Sequence, residues 1–235
     1  MSSGRSRTAR AVVVAVGLMV VALAGLVGCR GGSATGPSRD RVAVVETDDD
    51  GFHGTLIDPP LRPADVTLTD TGGRRFTLTQ RAPDEVTAVF FGFTSCDDVC
   101  PTTIADLATA RRQLPTAAAD KVRVVFVTVD PARDTPPVLA AWLGQFDPDF
   151  IGVTGSVDAV HELERSLYLP ESEPEPPTAG HRHAAPGKAS SPDSDYDMDH
   201  SGAVYLFGPR DQMLLHSGGT TPSQYADDLT HLLQG

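Results

Sequence analysis

Only three of the 235 residues are cysteine, and Lys and Arg number 19 against 31 Asp and Glu. No cysteine pair stands at the two-residue spacing of a structural zinc site, which argues against a closed four-ligand zinc centre. The shortage of basic residues, with a formal net charge of −12, argues against nucleic acid as a partner, since backbone-binding surfaces are built from clustered Lys and Arg. No internal repeat is visible. What stands out is a pair: Cys96 and Cys100 lie where the apolar run from Val86 to Phe93 gives way to Pro101 and a helix-like stretch. A helix beginning near Ser95 would stack residues i and i+4 on one face, so both sulfurs point the same way. Two convergent thiols form a disulfide or hold a soft metal ion.

The third cysteine belongs to a different feature. Arg5, Arg7 and Arg10 precede an uncharged, mostly apolar stretch from Ala11 to Val27, the basic and apolar parts of an export signal. Its end, Leu26-Val27-Gly28-Cys29, resembles the lipobox of bacterial lipoproteins, where cleavage leaves the cysteine N-terminal and lipid-modified. The expectation is a lipoprotein signal peptide over residues 1–28, with Cys29 the site of lipidation. The alternative is an uncleaved membrane helix, for which the stretch is at the short limit. Either way the folded part lies on the extracytoplasmic face of the cell membrane, where a dithiol must be kept reduced or must cycle through a disulfide. Three of the 19 basic residues fall in that signal, leaving 16 against 31 acidic ones and a net charge of −15. Such a surface attracts cations or a basic protein and keeps an exported chain in solution.

Beyond the signal, residues 29–55 are rich in Gly, Ser and Asp with little periodicity, which reads as a flexible tether. One domain is expected over residues 56–235. Val66 to Leu68 and Phe76 to Leu78 flank Asp70-Thr71-Gly72-Gly73, a hairpin signal. Val86 to Phe91, Val122 to Val129 and Phe150 to Val153 read as buried strands. They alternate with helical patterns over 101–114, 138–146 and 157–167, which predicts an α/β class with a mainly parallel sheet. A second hairpin over 203–216, around Gly208-Pro209, precedes a closing helix over 222–234. The proline-rich, acidic run over 170–195 predicts a disordered insertion rather than a second domain.

Three stretches, in order, closely resemble the motifs of the Sco (SenC) family. The first runs Phe90-Phe91-Gly92-Phe93-Thr94-Ser95-Cys96-Asp97-Asp98-Val99-Cys100-Pro101-Thr102-Thr103. The second is Val127-Thr128-Val129-Asp130-Pro131 through Arg133-Asp134-Thr135-Pro136. The third is Asp195-Tyr196-Asp197-Met198-Asp199-His200-Ser201 through Tyr205-Leu206. The resemblance implies a thioredoxin-like fold with an additional N-terminal hairpin and an insertion. It also implies copper, Cu(I) and/or Cu(II), bound by Cys96, Cys100 and His200, and a role in assembling the CuA site of cytochrome c oxidase. The run before His200, with His181 and His183 inside it, is longer than the family usually shows, which leaves open how His200 reaches the thiols.

Thiolate sulfur selects Cu(I), and imidazole suits either oxidation state. Met198 is near enough in sequence to be weighed as a further soft ligand against a packing role, and His181 and His183 as loose copper captors against solvated residues. His53, His161, His216 and His231 stand outside any motif and read as surface or packing residues. Asp130 ends a buried strand, so it either orients a ligand from behind or caps the turn before Pro131, and Arg133 and Asp134 brace that loop, by a mutual ion pair or backbone contacts. A helix N-terminus lowers the pKa of Cys96 while Asp97 and Asp98 raise it, two opposed effects.

Two functions follow. The first is a membrane-anchored copper chaperone whose partner is the CuA domain of cytochrome c oxidase subunit II. The second is a thiol-disulfide oxidoreductase, with Cys96 and Cys100 as its redox pair, that reduces the cysteines of the apo CuA site or of another exported protein. Peroxidase activity would rest on the fold alone, which does not assign function.

Overall fold

The computed structural model describes residues 51–175 and 196–234, all within one compact unit. Its centre is the pair of β-branched and aromatic runs, β4 (Val86–Gly92) and β5 (Val122–Thr128), which pair in parallel from Val86 opposite Val122 to Gly92 opposite Thr128. Side chains alternate between the two faces of a strand. Val86, Ala88, Phe90, Val124 and Phe126 therefore enter one core, and Val89, Phe91, Val125 and Val127 another.

The first core is closed by α1 (Val99–Gln113), α3 (Pro136–Leu143) and α5 (Pro222–Gln234), through Ile104, Leu107, Leu139, Leu143, Leu229 and Leu232. The second is closed by α4 (Val157–Ser166), through Val160 and Leu163. Each fully buried Phe or Leu in these layers contributes on the order of 1.5–3 kcal/mol. A short helix, α2 (Thr116–Ala119), which no pattern in the sequence announces, turns the chain into β5.

Among the described residues the sheet has eight strands, in the order β1 (Thr55–Leu56), β10 (Met213–His216), β9 (Val204–Phe207), β4, β5, β6 (Ile151–Thr154), β2 (Leu68–Asp70) and β3 (Arg75–Phe76). β6 extends the parallel part, and β2 with β3 is the expected hairpin at one edge. β9 and β10 form the second hairpin on the other side of β4. The result is a thioredoxin-like α/β domain with an added hairpin.

Two expected boundaries move. Residues 51–55 are not tether: β1 (Thr55–Leu56) adds to β10, Phe52 stacks on His231 with ring centroids 4.3 Å apart, and the N–H groups of His53 and Gly54 donate to Asp228 at 2.9 and 2.8 Å. The physical reason is Asp228 itself, wholly buried on α5 and requiring donors. Likewise the insertion does not loosen at residue 170, because Ser172 is buried and β7 (Pro174–Glu175) pairs with β8 (Asp197–Met198) as a two-stranded ribbon. The signal over 1–28, Cys29, residues 29–50 and residues 176–195 with His181 and His183 lie outside the described residues. Among the described residues no helix is long and apolar enough to cross a membrane.

Candidate metal centre

The topology brings three loops to one end of the sheet. Cys96 follows the C-terminal end of β4, and Asp130 follows the C-terminal end of the parallel β5. β9 runs antiparallel to β4, with Val204 opposite Phe90, so the residues just before Val204 return to the same end. There Cys96 Sγ, Cys100 Sγ and a ring nitrogen of His200 all lie within 4.8 Å of one another. Cys100 is fully buried; Cys96 and His200 are half-buried.

Helix α1 begins at Val99 rather than near Ser95 or at Pro101. Cys96 therefore sits in the preceding turn, its N–H donating to the Phe93 carbonyl at 3.3 Å, and Cys100 is in the first helical turn. The sulfurs converge nonetheless, because the Cys100 N–H, one of the helix's unpaired first-turn donors, points at Cys96 Sγ at 3.4 Å. Pro101 removes no hydrogen bond at this position, since the first-turn N–H groups have no partner within the helix. Gly92 makes room: a Cβ there would stand 2.6 Å from Cys100 Sγ, the close approach that a glycine inside a strand permits.

His200 arrives from the far side. Its Nδ1 lies 3.1 Å from the Met198 carbonyl, which acts only as an acceptor, so Nδ1 carries the proton. Nε2 is the ring nitrogen left facing the thiols, 3.3 Å from Cys100 Sγ, the arrangement in which a ligating histidine is oriented by its other nitrogen. Phe93 meets the ring edge-on at 5.1 Å. Met198 is no ligand candidate in this arrangement: its side chain is buried in the second core, and its carbonyl holds the imidazole.

Electrostatics separates the two thiols. The Cys100 thiol facing Cys96, aided by His200 and by the backbone N–H groups of Asp98 and Cys100, outweighs burial and lowers the Cys96 pKa to about 4. Cys100 moves the other way, far above the usual thiol range, because it gives its hydrogen bond to Cys96, is buried, and faces the Cys96 thiolate. Burial disfavours the charged ring of His200, yet the Cys96 sulfur and the Met198 carbonyl raise its pKa overall.

Asp130 and Asp134 divide the work behind the site. Asp130 is buried, pairs with Arg133 Nε, and accepts from Tyr196 Oη at 2.8 Å. Arg133 in turn donates to the Tyr196 carbonyl at 2.9 Å and lies over the Tyr196 ring at 3.8 Å. Asp130 thus grips the chain four residues before His200 rather than merely capping a turn. Asp134 is wholly buried and accepts from Thr94 N at 2.9 Å, Thr94 Oγ1 at 2.5 Å and Thr128 Oγ1 at 2.7 Å, which pins the loop leading into Cys96. Of the two expected ways in which Arg133 and Asp134 could brace the loop, the structure shows backbone contacts, to the Tyr196 carbonyl and the Thr94 N–H, rather than a mutual ion pair. The roles of Asp134, Tyr196 and Gly92 escape the sequence reading. The glycine ending a buried strand was the one available signal, since hydrogen bonds across 40 and 66 residues leave no local trace.

The other histidines among the described residues stay away from the thiols. His216 is buried with Nε2 3.1 Å from Asp228, His53 faces Asp227 at 3.4 Å, His231 stacks on Phe52, and His161 contacts the Ser172 carbonyl at 3.0 Å. Among the described residues Cys96, Cys100 and His200 form the one cluster of three or more His, Cys, Asp or Glu able to hold a metal ion.

Comparison with known proteins places this geometry in a family. The Schizosaccharomyces pombe protein named sco1 is 29% identical over 185 residues, 79% of this chain and 65% of that protein. The Saccharomyces cerevisiae mitochondrial protein SCO2 is 32% identical over 147 residues, 63% of this chain and 44% of its own length. The chain therefore spans less than two thirds of either relative. The solved structure of Bradyrhizobium japonicum ScoI with copper bound superposes with a TM-score of 0.59 at 29% identity, covering 73% of this chain and 99% of that one. The family model described as SCO1/SenC matches residues 62–234, and the chain belongs to that family.

Proposed function

We propose that the protein is a membrane-anchored copper chaperone that holds its cargo between Cys96, Cys100 and His200. The observation that carries this reading is the convergence of two sulfurs and one imidazole nitrogen within 4.8 Å, with Nε2 of His200 turned toward the thiols. The donor set suits the ion: soft thiolates select Cu(I), and the imidazole tolerates either oxidation state. The thiols lose their protons on metallation, and Cys96 is already poised to do so. Three ligands, two of them half-exposed at the sheet's end, leave the ion open to ligand exchange with an acceptor. The copper-bound Bradyrhizobium structure supports the cargo. Asp130 serves as the residue behind the site, holding the histidine arm through Tyr196.

The acceptor in this reading is the apo CuA site of cytochrome c oxidase subunit II, as the family resemblance implies. A signal over 1–28 exports the chain, lipid at Cys29 anchors it to the extracytoplasmic face, and the following residues tether the domain. Anchoring confines donor and acceptor to one surface and raises their effective concentration.

One observation favours a second activity at the same residues. A low-pKa, half-exposed Cys96 beside a buried, high-pKa Cys100 is the pairing of an attacking and a resolving thiol. The Cys96 thiolate would attack a target disulfide and release one target thiolate. Cys100 would then resolve the mixed disulfide, passing two electrons to the target and leaving Cys96–Cys100 oxidised until an exported thiol reductant restores it.

His200→Ala separates the two. Disulfide exchange needs only the sulfurs, so it should continue. Cu(I) retention against a chromophoric chelator should fall by at least the roughly 10–100-fold that even outer partners of a metal site command. Equal Cu(I) affinity in wild type and variant overturns the three-ligand chaperone. Mixing the copper-loaded protein with an apo CuA domain should move metal without oxidising Cys96 or Cys100.

A further inference from the structure

Helix α4 packs against the second core through Val160 and Leu163, and in the same buried row it carries a carboxylate, Glu164, only 1% exposed. Burying a carboxylate among apolar side chains is costly unless donors meet it, and both of its donors come from one residue outside the helix. Ser172 N–H reaches Oε2 at 3.1 Å, and Ser172 Oγ donates to Oε1. Burial raises the pKa of Glu164 above the ordinary carboxylate value, against the lowering effect of those two bonds. One turn earlier, His161 Nε2 reaches the Ser172 carbonyl at 3.0 Å. Ser172 is thus held at its N–H, hydroxyl and carbonyl by two side chains of α4.

The held segment leads directly to the metal centre. Asp199 N–H donates to the Glu173 carbonyl at 3.0 Å. In the β7–β8 ribbon Pro174 stands opposite Met198, whose carbonyl accepts the Nδ1 proton of His200. A path of hydrogen bonds joined by single covalent steps along the chain therefore runs from Glu164 through Ser172 and Glu173 to Asp199, Met198 and the imidazole. It shares no residue with the Asp134, Thr94 and Thr128 network under the thiols.

We propose that Glu164 is a positioning residue for the copper site: through Ser172 and the β7–β8 ribbon it holds His200 with Nε2 turned toward Cys100 before copper arrives. The proposal rests on the chaperone reading above. A pre-placed imidazole spares the site the ordering of a long arm at loading, which is how preorganisation raises affinity.

The test is a double-mutant cycle in the full chain, reading Cu(I) dissociation constants by chelator competition for wild type, Glu164→Gln, Ser172→Ala, His200→Ala and each pairwise combination with His200→Ala. Glu164→Gln, which keeps the shape but leaves one acceptor for two donors, and Ser172→Ala should each weaken Cu(I) binding about tenfold, within the range for outer partners of a metal site. In the His200→Ala background both should have no further effect, because the residue they act through is gone. The Cys96–Cys100 reduction potential, read in a glutathione titration, should not move. Wild-type affinity in both single variants overturns the proposal. So does a tenfold loss that persists without His200, which would mark general loosening of the fold. Should Glu164→Gln fail to fold, Ser172→Ala, which deletes one hydroxyl, carries the test alone. If His200→Ala binds copper as tightly as wild type, the chaperone reading falls, an outcome separate from any result at Glu164.

Discussion

The two halves of the metal centre are supported in opposite ways. The thiols belong to the sheet. Cys100 is fully buried against Gly92 at the end of β4, and the loop before Cys96 is pinned to Asp134, which also takes the hydroxyl of Thr128 at the end of β5. His200 hangs on an arm outside the sheet, carried by a ribbon with only two residues in each strand. Two buried carboxylates tie that arm down, Asp130 through Tyr196 and Glu164 through Ser172. The lesson is a division of labour. Moving a thiol disturbs the core, whereas releasing the imidazole costs a few polar contacts, so affinity for the cargo can be altered with little change in fold or redox pair.

The widest contrast lies in protonation. Cys96 has a folded pKa of about 4 against an ordinary 9.0, a lowered value, so its thiolate persists in the folded protein at any pH above about 4 and is lost as pH falls through that value. Iodoacetamide labelling of Cys96, followed by peptide mass mapping, should be flat between pH 6 and 8 in the folded protein. The urea-unfolded chain should label roughly a hundredfold faster at pH 8 than at pH 6, as a thiol with an ordinary pKa does. Labelling of folded Cys96 that climbs in parallel with the unfolded chain would dissolve the distinction between the two cysteines.

Next in size is Asp134→Ala. It strands the Thr94 N–H and two hydroxyls in a buried place and should cost on the order of 3 kcal/mol in urea unfolding, the scale for losing hydrogen bonds to a charged acceptor. Copper affinity should fall with it. A stable Asp134→Ala protein with wild-type copper binding would show that the thiols do not depend on the sheet in this way.

The smallest effect belongs to the arm. Tyr196→Phe deletes only the hydroxyl that reaches Asp130 at 2.8 Å and should shift global stability by about 1 kcal/mol or less, while raising the Cu(I) dissociation constant a few-fold. If the same substitution lowers the stability of the domain as much as Asp134→Ala does, the arm is part of the core and the comparison collapses.

The parts legible in the sequence are those written in short-range pattern. β4 and β5 announce themselves as apolar runs, α1, α3, α4 and α5 by helical spacing, and the two hairpins by turn residues at Asp70–Gly73 and Gly208-Pro209. Cys96 and Cys100 declare a shared site by spacing, although the helix starts at Val99, between the two expected starts, with Cys96 as the acceptor in front of α1 rather than a member of it. The order of the thiol pKa values was not legible, since it depends first on which thiol donates to the other and then on burial and on what else faces each sulfur. Nor were β1 and β7, each two residues long and set in polar sequence, because what recruits them is a distant buried carboxylate: Asp228 for residues 53–54 and Glu164 for Ser172.

The sequence by itself determined the chemistry on offer: two thiols at fixed spacing, an imidazole in a motif a hundred residues on, a strongly acidic domain, and an α/β alternation that needs a covered sheet. These follow from residue type and local periodicity, which act over a few positions. Tertiary structure alone decided that the three ligands meet, that Cys96 rather than Cys100 carries the thiolate, and that His200 presents Nε2. Each of these depends on hydrogen bonds between residues far apart in the chain and on burial that only the closed sheet provides.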